Sequence, residues 1–197
     1  RMITNMATEC RMPLCYAGGV KSVEQVERII SLGIEKVALS SSAIKSLNVI
    51  KQSAKRVGNQ SIVVVMDVKR TGLLRRYELF THNGTRATGI SPVEFAKDAE
   101  INGAGEVMLN SITHDGTMNG YDFELIDQVR DAISLPLTVQ GGAGSLHDIE
   151  KLVDRYGIIG AAAGSLFVFK GKYRAVLINY PSISQKELIT KNAHHLS

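Results

Sequence analysis

Gly18-Gly19-Val20-Lys21-Ser22 and Gly141-Gly142-Ala143-Gly144-Ser145 stand 123 residues apart, and their surroundings repeat with them. Each pair of glycines follows a short apolar run, and each serine opens a helical pattern that carries Glu27 or Glu150 at the same offset. In each copy the next apolar run ends in serine: Ser40-Ser41-Ser42 in the first, Gly164-Ser165 in the second. Six runs rich in Val, Leu and Ile recur along the chain: Pro13–Tyr16, Lys36–Leu39, Ile62–Asp67, Glu106–Leu109, Pro136–Val139 and Ile158–Ala162. They hardly alternate, the pattern of strands buried on both faces. The helices between them have readable starts. Ser22-Val-Glu-Gln25 and Ser91-Pro-Val-Glu94 fit a capping box, with Pro92 at the first helical position, and Ser145-Leu-His-Asp148 is a weaker version. Gly33 and Gly157 stand where a helix end favours a left-handed residue.

Strand–helix–strand repetition over short connections predicts a parallel sheet. The strand centres step by about 29 residues, so an eight-unit barrel needs roughly 230 to 250. The 197 residues have room for about six units, as an open sheet or as a barrel short of two. A repeat that spans four units is half of eight, which predicts the barrel. The expected fold is therefore α/β, a (β/α)8 TIM barrel that is N-terminally incomplete. The first residue, Arg1, and the lack of a signal-peptide pattern behind it fit a piece of something longer.

Composition narrows the function classes. Hydrophobic residues at 44% and charged residues at 21% suit a globular chain rather than a disordered one. The longest apolar run, Ile62 to Met66, is too short to cross a bilayer. Cys10 and Cys15 cannot staple a domain of this size, so reduced thiols in a cytoplasmic protein are expected. The net charge of +4 does not make a nucleic-acid surface: Lys and Arg are scattered among Glu and Asp, the stretch Lys69-Arg70 with Arg75-Arg76 is short, and there is no Trp. Histidines and cysteines show no metal-ligand spacing, and no Gly-x-Ser-x-Gly nucleophile motif occurs.

The chemistry-bearing residues fall at strand ends. Glycine pairs let backbone N–H groups approach an anion, and the serines after the next strand add donors for phosphate oxygens. Gly18, Gly19, Ser40 and Ser41 form one such set; Gly141, Gly142, Gly164 and Ser165 form the other. Two sets half a barrel apart suit a ligand with a phosphate at each end, although tight turns alone would also use glycine. Asp67 closes an apolar run, where a carboxylate is costly to bury; at a strand's C-terminal end it points into the barrel mouth, placed to move protons. The alternative is an ion pair with Lys69 or Arg70. The loop Asn110 to Thr117, with Asp115-Gly116, suits substrate positioning or plain turn chemistry, and His114 suits an acid or base or an exposed loop residue.

These stretches resemble the cyclase subunit family of imidazole glycerol phosphate synthase, from histidine biosynthesis. The resemblance lies in Gly18 to Glu24, Val63 to Arg70, Thr81-His-Asn-Gly84, Gly103 to Glu106, Asp115 to Asp122 and Gly141 to Gly144. It covers roughly residues 3 to 170, which implies a partial barrel over 1–170 holding strands three to eight. Residues 171–197 form a divergent C-terminal tail of the same domain. The resemblance implies a lyase with two catalytic aspartates, of which Asp67 matches the second; the first belongs to a strand this sequence does not contain. It implies a bis-phosphorylated ribonucleotide substrate, products imidazole glycerol phosphate and aminoimidazole carboxamide ribonucleotide, and no cofactor. Ammonia would come from a glutaminase subunit, a class I amidotransferase, past a charged gate at Lys36 and Glu106. Substrate-side departures, among them Asn110 in place of threonine, Thr113-His114 in place of Asp-Arg and Gln140 in place of serine, are similar to a divergent branch tied to surface-polysaccharide clusters. That branch would conduct ammonia for sugar amidation, and a non-catalytic glutaminase-binding scaffold is a further alternative.

Overall fold

The computed structural model describes residues 2–73, 75–171 and 173–191. In chain order the elements are α1 (Met2–Glu9), β1 (Cys15–Ala17), α2 (Val23–Ser31), β2 (Lys36–Leu39), α3 (Ser41–Lys45), α4 (Asn48–Val57) and β3 (Ile62–Thr71). They continue with β4 (Arg76–Thr81), β5 (Arg86–Ala87), α5 (Pro92–Ile101), β6 (Glu106–Ser111), α6 (Phe123–Arg130), β7 (Leu137–Gln140) and α7 (Leu146–Tyr156). The last are β8 (Gly160–Ala161), α8 (Ser165–Val168), β9 (Phe169–Lys170), β10 (Ala175–Val176) and α9 (Ile183–Lys191).

Six strands pair in parallel in the order β1-β2-β3-β6-β7-β8, so spatial order follows chain order, as in a (β/α)8 barrel. The sheet is an incomplete TIM barrel, six of eight parallel strands, and among the described residues β1 and β8 each pair on one side. No described helix is long and apolar enough to cross a membrane.

Val37, Ala38 and Leu39 of β2 and Ile62, Val63 and Val64 of β3 are buried on both faces, as expected, whereas burial alternates from Val64 to Val68 and along β6 and β7. Val37, Leu39, Ile62, Val64, Met66, Val107, Leu109, Leu137 and Val139 pack under the helices and are at most 2% exposed. Their neighbours Lys36, Val65, Asp67, Glu106, Met108, Asn110, Thr138 and Gln140 are half-buried on the concave face. Six strands curl without closing, so the concave side keeps access to solvent while the helix-covered side does not.

Strand limits also shift. The first run begins at Cys15 rather than Pro13, and β7 runs from Leu137 to Gln140. At the sheet edge, β8 shrinks to Gly160–Ala161 and leaves Ile158 96% exposed just after Gly157 ends α7 with a φ of +67°. The serines after β2 and β8 do not end strands. The chain turns at once into the short helices α3 and α8, with Ser40 and Gly164 as their caps. The largest difference is β3, which runs past Asp67 to Thr71 and folds back as an antiparallel hairpin with β4, itself paired to β5.

The caps reverse the sequence ranking. Ser145 and Asp148 form the full reciprocal box, with Ser145 Oγ accepting from the Asp148 N–H and Asp148 Oδ2 accepting from the Ser145 N–H at 2.9 Å. Ser22 Oγ accepts from the Gln25 N–H, but the Gln25 side chain accepts from the Lys21 N–H instead of closing the box. Ser91 makes no side-chain cap, since Pro92 already presets the first turn. Ser145→Ala is therefore expected to cost about 1 kcal/mol and Ser91→Ala close to nothing, read by thermal melts of both variants. Equal losses would contradict this assignment of caps.

Candidate functional site

Register on the concave face aligns Asp67 of β3, Asn110 of β6 and Gln140 of β7 as neighbours across three strands. Asn110 Nδ2 donates to Asp67 Oδ1 at 2.8 Å. No ion pair among the described residues includes Asp67. Arg70, one of its sequence-proposed partners, instead lies 2.6 Å from Glu124, and Lys69 sits over the Phe80 ring.

A cavity of about 670 Å3 has Gly18, Gly19, Ser40, Ser41 and Asp67 among its lining residues. Gly18 and Gly19 are exposed with φ of +117° and +71°, and nothing stands where a Cβ would go, so their backbone can be approached closely. Polar lining residues that the sequence did not single out as site residues include Lys21, Lys45, Ser46, His82 and Asn83. Lys21 was legible as a cation directly behind the glycine pair, and Asn83-Gly84 is a hairpin-turn signal. Nothing in the sequence marks Lys45 apart from other helical lysines.

The second glycine set is built differently. Gly141 and Gly142 are buried, and a Cβ on Gly142 would fall 2.0 Å from the Gly120 carbonyl oxygen. The Gly142 carbonyl accepts from the Gly120 N–H at 2.8 Å, which locks this loop to the one after β6. Gly141, Gly142, Gly164 and Ser165 do not line the 670 Å3 cavity, nor do Asp115 and Gly116, both exposed on the loop after β6.

His114 belongs to a structural network beside the site. Its Nδ1 lies 2.9 Å from Ser111 Oγ and 3.7 Å from Asp122. Tyr77 donates to Asp122 at 2.8 Å, and Arg70 reaches both Tyr77 and Glu124. Burial, then the bond to Asp122, pushes the Tyr77 phenol up to about 12, which keeps it a neutral donor at working pH. The network ties the β3–β4 hairpin to the start of α6.

At the opposite strand ends, Lys36 Nζ lies 2.5 Å from Glu106 Oε2 across the concave face, and Thr138 donates to Glu106 at 2.7 Å. Glu106 and Asn110 stand four positions apart on β6, about 13 Å at the strand rise. No group of three His, Cys, Asp or Glu suited to a metal occurs among the described residues.

A parallel barrel sheet with polar groups gathered at the strand C-termini defines an α/β-barrel protein with a strand-end site. The family model described as histidine biosynthesis protein matches residues 1–174, and the chain belongs to that family. Within it, similar proteins carry the names of imidazole glycerol phosphate synthase subunits. The chain is 53% identical over 189 residues, 96% of its own length and 74% of the relative's, to "Putative imidazole glycerol phosphate synthase subunit HisF" of Leptospira interrogans. It is also 53% identical over 186 residues, 94% of this chain and 72% of the relative, to "Putative imidazole glycerol phosphate synthase subunit hisF3" of Vibrio vulnificus strain YJ016. The "Imidazole glycerol phosphate synthase subunit HisF" of Hyphomonas neptunium is 40% identical over 167 residues, 85% of this chain and 66% of that protein.

Proposed function

We propose that this chain supplies the ammonia-using cyclase, a lyase, of imidazole glycerol phosphate synthase. The observation that carries the reading is that Asp67, Gly18, Gly19, Ser40 and Ser41 line one cavity. One phosphate of a bis-phosphorylated ribonucleotide sits on Gly18, Gly19, Ser40 and Ser41. The other sits on Gly141, Gly142, Gly164 and Ser165, with Asn110, Asp115 and Gly116 positioning the part between. Asp67 moves protons on the atoms between the phosphates, and ring closure releases imidazole glycerol phosphate and aminoimidazole carboxamide ribonucleotide. Lys21 and Lys45 add positive charge at the first phosphate. Residues 1–170 are taken as the barrel portion and 171–197 as a tail of the same domain, in a cytoplasmic protein that needs no metal or cofactor.

The binding test is calorimetric titration of the intact protein with the bis-phosphorylated ribonucleotide and with a monophosphate analogue. The doubly phosphorylated ligand is expected to bind at least about tenfold more tightly, the effect of one charge-assisted anchor. Equal affinities would remove the second phosphate set from the reading.

Ammonia in this reading comes from a glutaminase subunit docked at the strand N-termini and passes Lys36 and Glu106. Glu106→Lys should uncouple glutamine hydrolysis from ammonia use by at least about tenfold. Ribonucleotide affinity should be nearly unchanged, because the pair lies about 13 Å from Asn110 along β6. Parallel loss of ribonucleotide affinity would show that the pair belongs to the ligand site.

A second reading is a paralogue that conducts ammonia for sugar amidation in surface-polysaccharide biosynthesis. It is favoured by the substrate-side residues Asn110, Thr113, His114 and Gln140 and by the numbered name hisF3 of the Vibrio relative. Ammonium-dependent turnover of the histidine-pathway ribonucleotide separates the two.

A further inference from the structure

A second cavity, of about 590 Å3, opens between the β3–β4 hairpin, the loop after β6 and the start of α6. It shares no lining residue with the 670 Å3 cavity, and neither Asp67 nor any residue of the two glycine sets borders it. Its volume is in the range that holds a small molecule. The hairpin brings three cations to it, Lys69, Arg70 and Arg75, and α6 brings the carboxylates of Asp122 and Glu124. Both carboxylates are already committed. Glu124 pairs with Arg70 at 2.6 Å, while Asp122 accepts from the Tyr77 hydroxyl at 2.8 Å and, as the cap of α6, from the Leu125 N–H at 3.3 Å. Arg70 is thereby neutralised and held in place. Lys69 and Arg75 are exposed, and neither joins an ion pair among the described residues. The cavity is left with two uncompensated cations.

Neutral hydrogen-bonding groups and an apolar surface complete the lining. Thr113 is exposed at the cavity, and His114 meets Ser111 Oγ through Nδ1 at 2.9 Å, which leaves its Nε2 without a hydrogen bond among the described residues. Phe123 is half-buried and adds an aromatic ring. We propose that this cavity is a binding site for a phosphorylated small molecule, separate from the cyclase site. Lys69 and Arg75 hold the phosphate, Thr113 and His114 bond the polar groups beside it, and the organic part rests on Phe123. A phosphate suits the lining because its charge matches two cations without carboxylate partners, and its several oxygens accept from more than one donor at once. The same molecule without its phosphate would leave both cations unmatched.

The test is titration of the intact 15N-labelled protein with adenosine diphosphate, adenosine and citrate at matched ionic strength. The Gly72, Thr113 and Phe123 amides report on this cavity, and the Gly18 and Gly142 amides report on the glycine loops. Adenosine diphosphate is expected to shift the first group saturably, and adenosine and citrate to bind there at least about tenfold more weakly. Exchanging both cations, Lys69→Gln with Arg75→Gln, should weaken the diphosphate at least about tenfold at the same amides. The response at Gly18 and Gly142 and the melting temperature should stay nearly unchanged, since neither cation is paired in the fold. A diphosphate response confined to Gly18 and Gly142, equal binding of adenosine or citrate, or undiminished affinity in the double variant would overturn the inference. The cyclase reading is tested separately by turnover, so either can fail without the other.

Discussion

Asp67→Asn in the intact protein is expected to lower ammonium-dependent turnover at least about a hundredfold, the usual scale of acid–base catalysis, with little change in ribonucleotide affinity. The substitution keeps the shape of the side chain and removes the base. Asp67 sits half-buried at the cavity wall, bonded to Asn110 and outside every ion pair among the described residues. Its removal should therefore cost the fold little. If Asp67 only held the structure together, the same change would lower the melting temperature and leave turnover per folded molecule intact. A thermal melt run beside the kinetics distinguishes the two outcomes.

The two glycine loops should answer very differently to alanine. Gly142→Ala places a Cβ 2.0 Å from the Gly120 carbonyl oxygen at a φ of +111°. Left-handed strain of roughly 1–2 kcal/mol adds to about 1–3 kcal/mol for forcing the two loops apart, an expected loss of about 3 kcal/mol. For a chain of this size that is roughly a 10 °C drop in melting temperature. Gly19→Ala meets no neighbour and carries the strain alone, so the loss is about 1–2 kcal/mol, yet it crowds the surface proposed for phosphate. Calorimetric melts together with phosphate titration measure both quantities. Equal melting shifts would mean that the packing of Gly142 against Gly120 does not hold in solution, and unchanged phosphate binding in Gly19→Ala would remove that glycine from the site.

Much of the fold was legible because the buried face of each strand announces itself. Val37, Leu39, Ile62, Val64, Val107 and Leu109 supply apolar runs whose spacing and half-length repeat point to a barrel. The concave face was harder to read. Val65 and Met108 are apolar on both readings, so the runs did not reveal that one side stays accessible. The β3–β4 hairpin escaped for a different reason: its turn lies between Thr71 and Arg76, where Gly72 is a weak sign, and Tyr77 to Thr81 mix charged and apolar side chains; Asn83-Gly84 marks the next turn, from β4 to β5. Cap strength was misordered because a pattern of residue types cannot show whether Gln25 reaches back to Ser22 or to Lys21.

The first glycine pair, its serines and Asp67 could be placed together from strand ends alone, since chain order equals sheet order in a barrel. The second set could not. Gly141 and Gly142 resemble Gly18 and Gly19 in sequence, but their close contact with the loop from Ser111 to Gly120 depends on tertiary packing that no local pattern encodes. Asn110 was picked out as a polar residue behind a strand. Its bond to Asp67 came from the parallel register that sets the two residues side by side.

The central claim is that a proton-moving carboxylate and a phosphate cradle share one cavity and serve ring closure with ammonia. Its most direct test is steady-state turnover of the bis-phosphorylated ribonucleotide by the intact protein with ammonium salts, comparing the unaltered chain with Asp67→Asn. The account predicts formation of imidazole glycerol phosphate and aminoimidazole carboxamide ribonucleotide by the unaltered protein, and a loss of at least about a hundredfold in the variant. Product formation that is the same in both, or absent from the unaltered protein, would contradict it.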